Sequence, residues 1–203
     1  MKKHYYFMIS IIFLTILSTV IAPSPDTTCK IAGILFASTY LLFYSSDIAV
    51  FRYKILALKA IKNNDLTAVK EYYRRIHRIS PNSLNGKTAL AIIHTMEGKW
   101  GLAERLYREV LRARPQDPRI HYNLAVTLMR QGQYEEALKS LILIIHIFPK
   151  WAVTYSAVAE IYMAREEYSK ADQYFRCALL IDKNDPSARH HLPILEKILE
   201  QAA

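Results

Sequence analysis

Hydrophobic and polar positions divide this chain sharply near residue 51. The first fifty residues are mostly apolar, and everything after Arg52 alternates between apolar and charged positions. In the later part apolar residues return three to four apart in successive blocks, the spacing of amphipathic helices. Two longer apolar runs stand before it. Tyr5 to Ala22 holds eighteen residues without a charge, and Ile31 to Phe51 holds one, Asp47, near its C-terminal end. Both lengths suit a helix crossing a hydrocarbon core of roughly 30 Å.

Read as spans, the runs are joined by a short loop, Pro23 to Lys30, whose "PSPD" favours an extended or turn path. A secretory signal is the rival reading, with Lys2 and Lys3 as its basic start and "VIA" as its cleavage box. Against it stand the length of the run and Pro23 directly after the scissile bond. Lys and Arg flank the outer ends of both runs, while Asp26 and Lys30 cancel in the loop. That bias predicts an integral protein of the cell membrane with both termini and the C-terminal region in the cytoplasm. No glycine or proline falls between Gly33 and Pro81, so the second span is expected to continue into the helix that follows.

After Phe51 the pattern repeats with a period of thirty-four. Prolines fall at 81, 115 and 149, and Ala57, Ala91, Ala125 and Ala159 keep the same interval. Leu56, Leu90, Leu124 and Val158 precede them. Val69, Ala103, Ala137 and Ala171 follow, then the large Tyr73, Tyr107, Leu141 and Phe175. Small residues let two helices approach, and large ones fill the next layer. Asn64, Gly98, Gly132 and Glu166 stand between the helical halves. The first three suit a left-handed C-cap, whereas Glu166 carries a steric cost there and a charge of the wrong sign. Each unit is a helical hairpin that needs stacked neighbours to bury its face.

This pattern closely resembles the tetratricopeptide repeat family. Leu124, Ala125, Gly132, Tyr134, Ala137 and Pro149 carry it in the best unit, and Val158, Ala159, Tyr162, Ala171, Phe175 and Ala178 in the next. The expected fold is all-α, a helical-hairpin repeat solenoid preceded by two transmembrane helices. Residues 1–51 form the anchor, with spans at about 5–22 and 31–51. Repeats occupy 52–185, divided into a degenerate unit 50–83 and regular units 84–117, 118–151 and 152–185. Lys183 and Glu166 depart from the pattern in the last unit. Residues 186–203 make a capping helix, with Pro193 ending one helix and opening another.

The resemblance implies a protein partner, a peptide or amphipathic helix, held in a groove lined by the first helix of each unit. By register the groove positions are Asn85, Thr88 and Ile92; then Arg119, Tyr122, Asn123, Val126 and Arg130; then Val153, Ser156, Ala157 and Glu160. Asn123 has a structural reading of equal weight. Val153 and Ala157 replace the basic residues with which some family members clamp a C-terminal carboxylate. Arg119 and Arg130 favour acidic flanks on the partner.

Charge and chemistry change this picture only in part. The chain has 27 Lys and Arg against 18 acids, a net charge of +9. Between Arg52 and Ile79 stand eight basic residues and two acids, so positive charge gathers beside the expected membrane. Arg52, Lys54, Lys59 and Lys62 are therefore candidate contacts for anionic lipid headgroups. The same placement argues against nucleic acid as the main ligand, and the 14 tyrosines fall largely on packing positions. Gly-rich phosphate loops, HExxH and nucleophile elbows are missing, and His190-His191 points in two directions on a helix, so neither catalysis, metal nor cofactor is expected. Cys29 and Cys177 lie far apart with no metal-type spacing, and two lone cysteines do not make a disulfide framework. The expected function is a non-enzymatic, membrane-anchored scaffold that assembles or localises a complex at the cytoplasmic face. Two alternatives are an accessory subunit regulating a membrane enzyme or transporter, and a secreted or surface-retained repeat protein.

Overall fold

The computed structural model describes residues 25–201 together with Ser10, Ile12 and Ile16. All regular structure among them is helical. The chain divides after Pro81 into two compact units.

The first unit is a hairpin of α1 (Pro25–Lys62) and α2 (Leu66–Ile79). Pro25 opens α1 where its missing N–H removes no intrahelical bond. The helix then continues unbroken through Phe51 to Lys62, as the lack of glycine and proline predicts. Asn64 turns the chain at φ 55°, and the Asp65 carboxylate caps α2 by accepting from the Ala68 N–H at 2.9 Å. Val50, Ala57 and Ala60 of α1 bury themselves with Val69 and Ile76 of α2. Tyr53 stacks on Tyr72, with the Arg75 guanidinium over the Tyr53 ring.

This unit corrects the membrane reading. Among the described residues no helix is long and apolar enough to cross a membrane. The last turns of the run Ile31–Phe51 belong to the hairpin that buries Val50. The expected integral membrane protein with cytoplasmic termini is therefore overturned. Residues 25–30 of the expected loop are the first turns of α1. Of the expected first span, Tyr5 to Ala22, all but Ser10, Ile12 and Ile16 lies outside the described residues.

The second unit runs α3 (Leu84–Met96), α4 (Trp100–Ala113), α5 (Pro118–Arg130), α6 (Tyr134–Ile147), α7 (Ala152–Ala164), α8 (Tyr168–Ile181) and α9 (Pro186–Gln201). The period of thirty-four reappears as geometry. First helices start at 84, 118 and 152, and second helices at 100, 134 and 168. Consecutive helices pack antiparallel as hairpins, and each second helix packs on the first helix of the next hairpin. Ala91, Ala103, Ala125, Ala137, Ala159 and Ala171 are all fully buried, so the small positions are where helices cross. Tyr107, Leu141 and Phe175 fill the adjoining layer, also without exposure beyond 1%. At roughly 25 cal/mol per Å² of apolar surface, each of these large side chains contributes more hydrophobic stabilisation than the alanines it adjoins.

Every turn within a hairpin closes alike. The N–H groups of Lys99, Gln133 and Glu167 each donate to the carbonyl five residues earlier, His94, Leu128 and Tyr162, at 2.9 Å. That bond requires a left-handed residue between, supplied by Gly98 at φ 69° and Gly132 at φ 74°. Glu166 adopts φ 61° despite its Cβ. α9 differs from the sequence reading in one respect: Pro193 lies inside a single helix instead of opening a new one. Its missing N–H removes one bond to the preceding turn, while Leu192 and Leu195 on either side hold the helix by packing against the Phe175 cluster.

Candidate functional site

The first helices α3, α5 and α7 lie side by side and present one face of the second unit. Of the twelve groove positions expected there, eight are half-buried: Asn85, Thr88, Ile92, Tyr122, Asn123, Val126, Val153 and Glu160. Arg119 and Arg130 are exposed at the two ends of α5. On α3 the Thr88 hydroxyl donates to the Leu84 carbonyl at 2.7 Å, so its oxygen is already engaged with its own helix. Asn85 also has a polar partner.

α5 carries the most available chemistry. The Tyr122 ring sits 5.5 Å from that of Trp151, which fixes it against the following turn. Burial, with the carboxylates of Glu160 and Asp185 facing it, pushes the Tyr122 phenol up to about 12. It therefore stays an uncharged hydroxyl at neutral pH. Asn123 makes no side-chain hydrogen bond among the described residues, while its backbone carbonyl accepts from Thr127 Oγ1 at 2.7 Å. Its amide is thus free to pair with a partner's backbone.

α7 is different. Ser156 and Ala157, expected to line the groove, are buried, at 1% and 4% exposure. The Ser156 hydroxyl donates to Asp185 Oδ1 at 2.7 Å, and the same oxygen accepts from the Ala188 N–H at 2.9 Å. Asp185 is thus the cap of α9 and the fastening of α9 onto α7. Ser187 Oγ donates to Glu160 Oε1 beside it. Ser156 and Ala157 are therefore internal contacts, not an open surface.

The four candidate lipid contacts lie on α1 in the other unit. Arg52, Lys59 and Lys62 are exposed, Lys54 is half-buried, and the last two exposed cations complement the C-terminal end of the helix.

Sequence reasoning missed one feature. An open pocket of about 560 Å³ lies at the turn after α6, lined by Pro118, Arg119, Ile147, Phe148, Pro149, Lys150 and Trp151. Ile147 and Phe148 are 41% and 42% exposed. Its signal was the stretch "IFPKW", which carries apolar side chains across a proline turn where polar ones are the norm. Elsewhere in the unit, Arg108 bridges Glu104 at 2.9 Å and Glu136 at 2.7 Å, tying successive second helices. The Gln131 amide first, and Arg108 after it, hold the Glu104 carboxyl below its usual range against partial burial.

Comparisons with known proteins agree with this geometry. Models described as tetratricopeptide repeat match residues 94–161 and 154–189. The chain is 25% identical over 134 residues to the type IV pilus assembly protein PilF of Pseudomonas aeruginosa, covering 65% of this chain and 53% of that protein. It thus spans about half the length of that relative. A solved structure of Pseudomonas aeruginosa PilF superposes with a TM-score of 0.62 at 23% identity, covering 77% of this chain and 72% of the other. The first repeat domain of Spaghetti (RPAP3), bound to the HSP90 peptide SRMEEVD, superposes at 0.54 with 18% identity, covering 58% and 93%. By family model, by period and by fold, this chain carries tetratricopeptide repeats within residues 94–189.

Proposed function

We propose that this chain is a non-enzymatic interaction scaffold that holds a peptide or amphipathic helix of a protein partner against its first-helix face. The observation that supports it most is the α5 surface. Tyr122, Asn123 and Val126 form a half-buried strip with one unpaired amide, bounded by the exposed Arg119 and Arg130. Such a strip offers apolar contact, one directional hydrogen bond and cations for acidic flanks. Asn85, Thr88 and Ile92 extend it on α3, and Val153 and Glu160 border it on α7. Likeness to a repeat domain bound to a peptide, and to a protein named for pilus assembly, supports a role in assembling a complex.

The test compares captured proteins across variants of the full chain. A partner retained by the wild type and by Ile142→Glu, on the exposed side of α6, should be lost from the double variant Val126→Glu, Arg130→Glu. Loss from Ile142→Glu alone would overturn the reading.

A further inference from the structure

We infer that the pocket at the α6–α7 turn, which adjoins the first-helix face at Arg119, is a second docking site for a partner segment that presents a large apolar side chain flanked by carboxylates. Three observations carry it. The pocket floor is apolar, made by Pro118, Ile147, Phe148 and Trp151, and its volume of about 560 Å³ admits a bulky side chain with room for its neighbours. Ile147 and Phe148 remain substantially exposed there, although every large side chain at the hairpin crossings in this unit is buried. The charged groups among the lining residues are both cations, Arg119 and Lys150. Lys150 has no ion pair among the described residues. Asp117 takes Arg119 Nε at 3.5 Å and spends the same oxygen on the Arg119 N–H, so it neutralises only one of the two.

Charge also selects the occupant. The chain's own first 24 residues hold Lys2 and Lys3 and no Asp or Glu, so they would bring like charge to the pocket. A second copy carries a net charge of +9 and meets the same repulsion. A carboxylate-flanked apolar segment fills the floor and satisfies both cations, one of which would otherwise gain nothing from the site.

Trp151 reports directly on occupancy. It is one of two tryptophans, and Trp100→Phe leaves it as the only one, excited selectively at wavelengths that the tyrosines do not absorb. The full chain carrying that substitution is titrated with the amidated hexapeptide DEFLDE, with DESSDE and KRFLKR as controls. Binding of DEFLDE should shift Trp151 emission to shorter wavelength, while both controls bind at least about tenfold more weakly, one for want of apolar contact and the other by repulsion. Phe148→Ser and Lys150→Glu alter exposed side chains, so the fold, checked by circular dichroism, is retained. Each should weaken DEFLDE by about tenfold. Val126→Glu with Arg130→Glu should leave this titration unchanged, which separates failure of this site from failure of the first-helix reading. Equal binding of KRFLKR, or indifference to both pocket variants, overturns the proposal. So does self-association of the chain abolished by Lys150→Glu, which would make a second copy the occupant.

Discussion

Repeats 118–151 and 152–185 share a backbone and differ in what they leave open. Both pack fully buried alanines at the crossings and close their inner turn with the same 2.9 Å bond across a left-handed residue. Yet position 122 is a half-buried tyrosine beside a free asparagine, whereas its counterpart Ser156 is buried and bonded to Asp185. The cause is the neighbour. α9 reaches back to α7 through Asp185 and Ser187, so a position available in one repeat is a structural joint in the next. Register dictates the fold of a repeat; its neighbour dictates which of its residues can meet a partner.

The comparison can be pressed in four ways. The largest effect is expected where the two repeats are alike. Phe175→Ala and Leu141→Ala, each emptying a fully buried site, should cost about 4 and about 3 kcal/mol in urea unfolding. A cost below about 1 kcal/mol in either would deny that these positions are equivalent core. Next, Ser156→Ala should destabilise by about 2 kcal/mol because it strips a donor from a buried carboxylate. Tyr122→Phe should stay within about 0.5 kcal/mol, since that face has no joint to lose. Equal costs would erase the distinction between the repeats.

The inner turns sharpen it further. Glu166→Gly should stabilise by about 1 kcal/mol by relieving a left-handed residue of its Cβ, and Gly132→Ala should destabilise by a similar amount. Apart from the glycine and its chain neighbours, nothing lies within 4 Å of where a Cβ at Gly132 would sit, so that cost is conformational alone. The smallest effect concerns pH. Glu104 is held below the usual carboxylate range, so its contribution is complete above that range and is lost as pH falls through its lowered folded value. The urea midpoint should therefore drop on acidification, and less so in Glu104→Gln. An equal drop in both proteins would assign the acid sensitivity elsewhere.

Much of this was legible in the residues. The alanine and large-residue series repeated at a fixed interval, and a buried crossing tolerates few alternatives, so packing wrote itself into the pattern. The left-handed turns were equally visible at Gly98 and Gly132, and even Glu166 obeys the register against its own preference. Three things were hidden. The apolar run Ile31–Phe51 did not announce that its last turn buries Val50 in a hairpin, and no helix among the described residues is long and apolar enough to cross a membrane. Burial of Ser156 and Ala157 depends on α9, which contributes nothing to the local pattern of α7. Pro193 marks a break by itself, yet packing of Leu192 and Leu195 carries the helix through it.

The central claim, that the partner lies along α5 on the first-helix face, is tested most directly by photocrosslinking. p-Benzoylphenylalanine is placed singly at Val126 and at Lys139, an exposed position of α6, in the full chain. The account predicts a discrete adduct from position 126 and none from 139. An adduct from 139 with none from 126 would contradict it.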